Sequence, residues 1–314
     1  MYYLPLLLVL FMAPALAAQY ASADLPVYDD VARATPAARQ LNLRDQHLFR
    51  LPAGTERLRD LTYLSLMGNH LEDWDARISS LRRLEVLNLF GNHLRSLPPA
   101  LGELRRLTRL DLTHNQLKTL PPEIGRLHRL TYLHSPLNEL DRLPDALGDC
   151  RRLEFLDLHG NQLSRLPPRL HRLRKLTHLN LGYNQLREAD ADWSRLTALT
   201  ELNLEGNRLR TLPPSIKELT ALRTLILTDN ELTALPAAVT ALGALQLLVL
   251  SGNHLRYLPD DLSGLVGLRT LILTGNPLAA GEGERIRAAL PWCKVHYQPA
   301  PAAEPDPPGE GLQP

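Results

Sequence analysis

The sequence predicts an α/β solenoid: a curved, right-handed horseshoe with a parallel β-sheet on its concave face and short helical or 3₁₀ turns on its convex face. Three observations predict it. Asparagines recur every 23 residues without a gap, at Asn69, Asn92, Asn115, Asn138, Asn161, Asn184, Asn207, Asn230, Asn253 and Asn276. Each lies in the pattern L-x-x-L-x-L-x-x-N-x-L, as in "LEVLNLFGNHL" from Leu84 to Leu94, although Asn138 follows a copy with Ser135 in the sixth place. A second half-unit that opens with "LP", of the form "LPxxLxxL" with Ile or Val at times replacing its inner Leu, follows most copies. A unit this short cannot bury its leucines alone, so the copies must stack into one continuous core.

Within a unit the first element is a short strand. Its alternation sends the fourth and sixth positions of the pattern inward and the third, fifth and seventh outward. The Asn comes next and turns the chain out of the sheet, its amide satisfying backbone groups left unpaired at the corner. The Leu spacing of three to four residues in the second half suits a helical or 3₁₀ turn. Strands about 4.8 Å apart on the inside, opposite bulkier turns outside, bend the stack.

The ends follow from the same need. Residues 1–17 read as a signal peptide: an apolar run around Leu4 to Met12, then Ala15-Leu16-Ala17 as a cleavage site. Residues 18–37 form an N-terminal cap, for which "LPVYDDVARATPAARQ" suggests a short amphipathic helix starting near Asp29 or Asp30. Residues 38–290 hold eleven units, the first degenerate, with Gln46 where Asn is expected. Glu282 to Leu290 reads as a helix, and residues 291–298 supply a closing strand over Lys294 to Tyr297. Residues 299–314 are Pro-rich, lack core residues and read as a disordered tail.

The 314 residues carry a formal net charge of +1, which provides no global field favouring nucleic acid or an anionic membrane. Beyond the first residues nothing is long and apolar enough to span a bilayer. Export to the periplasm or outside the cell is therefore expected, with no stable membrane span in the mature chain, no nucleic-acid partner and no cofactor.

The chain resembles bacterial members of the leucine-rich repeat superfamily, of the 23-residue kind. Its entry "VYDDVARATPAARQLNLRDQHLFRLP" is similar to the N-terminal cap of exported bacterial repeat proteins, and its exit "RIRAALPWCKVHY" to their C-terminal cap. That resemblance implies a binding scaffold, most often for proteins, that uses the concave strand surface.

Several residues invite chemical readings. Cys150 falls on an inward Leu slot and reads as a small core residue, and Cys293 belongs to the closing cap. The two lie about six repeats apart, on the order of 30 Å, beyond the reach of a disulfide. Trp74 and Trp193 replace Leu in the two units that lack the "LP" turn and read as core fillers. His47, His70 and His93 fall at one corner of consecutive units, where they can touch sideways. Ser135 beside His134 suggests a nucleophile, yet adjacent strand residues point to opposite faces. Catalysis is not expected.

The outward strand positions are free of packing duty in this reading, and they define the candidate ligand surface. Its centre has His134 between Asp111 and Asp157, with Tyr132 and Phe155 beside them and Arg109, His159 and His178 around; Tyr63 and Phe90 lie on earlier strands. The carboxylates should raise the histidine's pKa. Ile226, Leu247, Val249 and Ile272 form a second, apolar contact patch, which the tail is placed to cover. The first reading is capture of a protein or peptide, with Tyr132 and Phe155 replaceable by alanine without loss of stability. Alternatives are a metal or small-ligand site on Asp111, His134 and Asp157, and a structural envelope role. In the same unit Ser135-Pro136 breaks the pattern: proline should weaken or bulge the strand, and Leu137 should swing inward to refill the core.

Overall fold

The computed structural model describes residues 25–188 and 192–298. Among them thirteen strands form one parallel sheet in sequence order. They begin with Val27–Tyr28 (β1), Gln40–Asn42 (β2), Tyr63–Ser65 (β3), Val86–Asn88 (β4), Arg109–Asp111 (β5), Tyr132–His134 (β6) and Phe155–Asp157 (β7). They continue with His178–Asn180 (β8), Glu201–Asn203 (β9), Thr224–Ile226 (β10), Leu247–Val249 (β11), Thr270–Ile272 (β12) and Lys294–His296 (β13). From β2 to β12 each residue pairs with the one 23 positions on, so Asp111, His134 and Asp157 stand side by side.

The core is a set of leucine columns running the length of the sheet, such as Leu87, Leu110, Leu133 and Leu156, all fully buried. The asparagines form a second, polar column. Asn92 Nδ2 donates to the Leu66 and Leu89 carbonyls at 2.9 and 3.0 Å, while its Oδ1 accepts the Leu71 N–H at 3.1 Å. Each Asn therefore joins its own corner to the preceding unit, which is why the residue recurs where a leucine column alone would suffice for burial. Gln46 does not enter this column; its amide reaches back to the Asp29 carbonyl at 2.7 Å and ties the first unit to the N-terminal segment.

On the convex side lie five-residue 3₁₀ turns such as Pro99–Glu103, Pro122–Arg126, Asp145–Asp149 and Pro168–Arg172. A proline precedes each, extended at φ −69° to −79°, where its fixed φ fits and its missing N–H is not needed. Of the two units without this proline, the one containing Trp74 forms a one-turn helix instead, Ala76–Ser80 (α1), capped by Asp75. There Trp74 is half-buried and donates its indole N–H to Ser79 at 3.0 Å, whereas Trp193 is fully buried.

The N-terminal segment departs from expectation. Among the described residues no helix forms there; β1 pairs with β2, and a turn follows in which Asp30 accepts the Ala32 N–H at 2.8 Å. Fewer than ten residues separate Tyr28 from Pro36, too few for a stable helix, while the exposed edge of β2 needs backbone partners. Val31 and Ala38 close the core there. At the other end Glu282–Ala289 (α2) covers the last unit and leads into β13. The expected signal segment and Pro-rich tail lie outside the described residues. Among the described residues no helix is long and apolar enough to cross a membrane.

Candidate functional site

The central unit is built around a histidine with two occupied nitrogens. His134 Nε2 lies 3.0 Å from Asp157 Oδ2. Its Nδ1 is 3.1 Å from Thr113 Oγ1, which itself donates to Asp111 Oδ1 at 2.6 Å, and is 3.8 Å from that carboxylate. Burial alone would lower the histidine's pKa, but the two flanking carboxylates outweigh it and raise the value to about 9. Burial likewise opposes ionisation of Asp111, and its bond to His134 wins, so that carboxyl sits below its usual range. At neutral pH that value keeps the His134 ring an imidazolium beside the Asp111 carboxylate.

The expected distortion at Pro136 does not occur. Register is kept from β5 to β7, and the Ser135 and Leu137 N–H groups bond Asp157 and His159 carbonyls at 2.9 and 2.8 Å. The N–H at the position of Pro136 has no ladder partner in neighbouring units. It bonds the side chain two residues earlier, as Thr113 does to Asp111 and His159 to Asp157, both at 3.0 Å. Proline therefore removes a donor the sheet does not use. Nor does Leu137 swing inward: it is 50% exposed at φ 54°, and Ser135 stays fully buried in the leucine column.

Beside this unit runs a stack along one row of the sheet. The Arg109 guanidinium lies 4.4 Å from the Tyr132 ring centre, Tyr132 and Phe155 stack at 4.4 Å and 11°, and Phe155 meets His178 at 5.8 Å. His178 Nε2 continues to Glu201 Oε1 at 3.4 Å. Strand spacing and ring thickness nearly match, so the rings stand flat against each other and offer their edges. As a result Tyr132 and Phe155 are buried; Tyr63, Asp111 and Asp157 are buried too. The expectation that these side chains carry no packing duty is corrected, and with it the expectation that alanine there leaves stability unchanged. Arg109, His134, His159, His178 and Phe90 keep partial access.

The apolar patch is also more closed than expected. Ile226 and Val249 are only 1% exposed, because β-branched side chains one strand spacing apart close over each other. Leu247 and Ile272 remain half-buried.

Sequence reasoning missed a third column, the residue before each Asn. Its φ is positive in every unit, which suits glycine, found at Gly68, Gly91 and Gly160 among others. Where a side chain occupies it, the backbone throws that side chain onto the rim: His114 faces Phe90 at 6.5 Å, and Tyr183, 47% exposed, meets His159 edge-on at 5.1 Å. The signal was present, since "GN" is the common pair and "HN", "LN", "YN" and "DN" the exceptions.

Other candidates fall elsewhere. His47, His70 and His93 do stack, at 5.3 and 5.7 Å, on the Asn-side edge away from His134. Cys150 is fully buried, and burial, then Asp149, pushes its thiol up to about 12; burial pushes Cys293 to about 11. Among the described residues no group of three or more His, Cys, Asp or Glu side chains has the geometry to hold a metal ion.

Comparisons with known proteins agree with this architecture. Leucine rich repeat family matches cover residues 105–163 and 220–278, 151–193, and 83–104 with 198–219, more than half of the chain together. No curated protein matches. Among solved structures, the Leptospira interrogans LRR protein LIC12759 is 31% identical, with 82% of this chain and 83% of that chain covered and a TM-score of 0.45. The LRR ectodomain of the plant membrane receptor kinase GASSHO1/SCHENGEN3 from Arabidopsis thaliana, in complex with CASPARIAN STRIP INTEGRITY FACTOR 2, is 30% identical over 79% of this chain and 31% of that one, at TM-score 0.68. The functional domain of InlJ from Listeria monocytogenes is 25% identical over 82% and 53%, at 0.69. The chain thus spans less than two thirds of the latter two.

Proposed function

The chain belongs to the leucine-rich repeat family, and from that premise we propose that it is an exported, non-catalytic scaffold that captures a protein or peptide on its concave face. The observation that carries this reading is the Arg109–Tyr132–Phe155–His178 stack beside the His134 unit. Rigid aromatic edges flanked by a guanidinium and an imidazole suit a protein hot spot, and prior stacking lowers the entropy lost on binding. The LRR ectodomain of the plant receptor relative is itself found in complex with CASPARIAN STRIP INTEGRITY FACTOR 2, which favours a binding role here too.

The metal reading loses ground on chemistry. A ligating histidine must offer a bare nitrogen, and both nitrogens of His134 are engaged in a unit whose charge favours the protonated ring.

The test is capture from an extract of the source cells by the immobilised full chain. Discrete partners should be retained by the wild type and lost by Arg109→Ala/His178→Ala, which removes partly exposed groups and spares the buried rings. Retention by that variant equal to wild type would overturn the reading.

A further inference from the structure

The near-zero net charge conceals a segregation along one edge. Each unit enters its strand through a two-residue turn, and from Arg105 to Lys175 that turn is basic in every unit. It reads Arg105-Arg106, His128-Arg129, Arg151-Arg152 and Arg174-Lys175, all exposed. In the next four units the same turn reads Thr197-Ala198, Thr220-Ala221, Gly243-Ala244 and Val266-Gly267. The turn does not require the charge: the Arg105 N–H bonds the Glu103 carbonyl at 2.8 Å, and the Gly243 N–H bonds that of Ala241 at 3.0 Å. Basic residues are therefore concentrated here for a reason other than folding.

Ion pairing does not account for them either. Arg82 and Arg83, one unit earlier, are neutralised by Glu103 and Asp60. Asp149 is taken by Arg172 at 2.9 Å. Among the described residues, none of the seven Arg and Lys residues from Arg105 to Lys175 in these turns has an ion pair. Three strand spacings of about 4.8 Å place them within roughly 15 Å along the edge.

A groove opens in the middle of this run, with a volume of about 540 Å³ between the turns Pro122–Arg126 and Asp145–Asp149, and Arg126, His128, Arg151 and Arg152 line it. The turns approach so closely that a Cβ on Gly125 would meet the Ala146 carbonyl at 2.5 Å. That close approach sets the spacing of the two turns between which the groove lies.

We propose that this edge is a second binding surface, distinct from the concave face, for a linear acidic polysaccharide. Arginines presented at strand pitch match an extended chain of carboxylate or sulfate groups, which they hold by paired hydrogen bonds. None of the exposed large apolar side chains lies in the basic turns from Arg105 to Lys175; Val266, on the same edge, is four units further on, so the basic run has no stacking platform for bases and no apolar anchor for a protein.

The probe is fluorescein-labelled dextran sulfate titrated with the full chain, with neutral dextran and oligodeoxythymidine as comparisons. Binding should be specific to the sulfated polymer and weaken steeply as salt rises. R106E/R151E/R152E should reduce affinity by about tenfold or more. R187E/R208E/R256E, which makes the same change in total charge on exposed arginines outside this run, should stay within about twofold of wild type. Equal loss in both variants, no loss in the first, or an equal affinity for the oligonucleotide would overturn the proposal. None of these outcomes depends on the concave face.

Discussion

His134 and Pro136 each lack what the other would have needed. In six units the residue at the His134 position supplies an oxygen to the N–H two residues on, among them Asn88 to Phe90 and Asn180 to Gly182, at 2.9 and 3.1 Å. His134 has no such oxygen and Pro136 no such N–H. The exchange frees the imidazole to turn sideways onto Thr113 and Asp157.

A double-mutant cycle measures this pairing. Pro136→Thr alone buries an N–H without its acceptor and should cost about 1–2 kcal/mol. In His134→Asn/Pro136→Thr the local bond re-forms, so the double variant should be more stable than the sum of the singles by about 1 kcal/mol in urea unfolding. Additive effects would contradict the matching.

The pKa of His134 makes stability depend on pH in a stated direction. A folded value of about 9 against the ordinary 6.5 means its contribution is fully present below about pH 6.5 and lost as pH rises through 9. The loss should be on the order of 1–3 kcal/mol, and His134→Gln should abolish this slope. NMR titration of the His134 ring would follow the same proton directly.

The stacked row should behave as core. Phe155→Ala should lower stability by about 2–4 kcal/mol, because a ring packed on Tyr132 is removed from a buried site. His178→Ala, at the half-buried end of the row, should cost under about 1 kcal/mol. Thermal melts compare the two.

Glu282 anchors the C-terminal end. It accepts the Leu258 N–H at 2.8 Å and pairs with Arg285 at 2.8 Å. Burial opposes its ionisation, but these bonds hold its carboxyl below the ordinary range. Its contribution is thus present above the ordinary carboxylate pKa and lost as pH falls through the lower folded value. Glu282→Gln should lower the melting temperature at pH 7, and the difference from wild type should shrink as pH falls below the ordinary carboxylate range.

Much of this was legible in the sequence, because the 23-residue period fixes both register and face. It placed His134 between Asp111 and Asp157 and assigned Cys150 to the core. What it could not show was depth. An outward position reads as exposed, yet Tyr132, Phe155 and Val249 are buried by neighbours one strand away, a distance the alternation rule does not contain. Pro136 was misjudged for a related reason: the ladder uses only alternate N–H groups, and proline fell on an unused one. Val27–Tyr28 became a strand because the edge of β2 needed a partner, which no local propensity reports.

The most direct test of concave-face capture is site-specific photo-crosslinking in the source cells. A photoreactive residue at His178 on the concave row, and one at Arg95 on an exposed position outside both proposed surfaces, are irradiated in parallel. A discrete adduct to a protein from His178 and none from Arg95 is the predicted result. Adducts of the same mass and yield from both positions, or from neither, would contradict it.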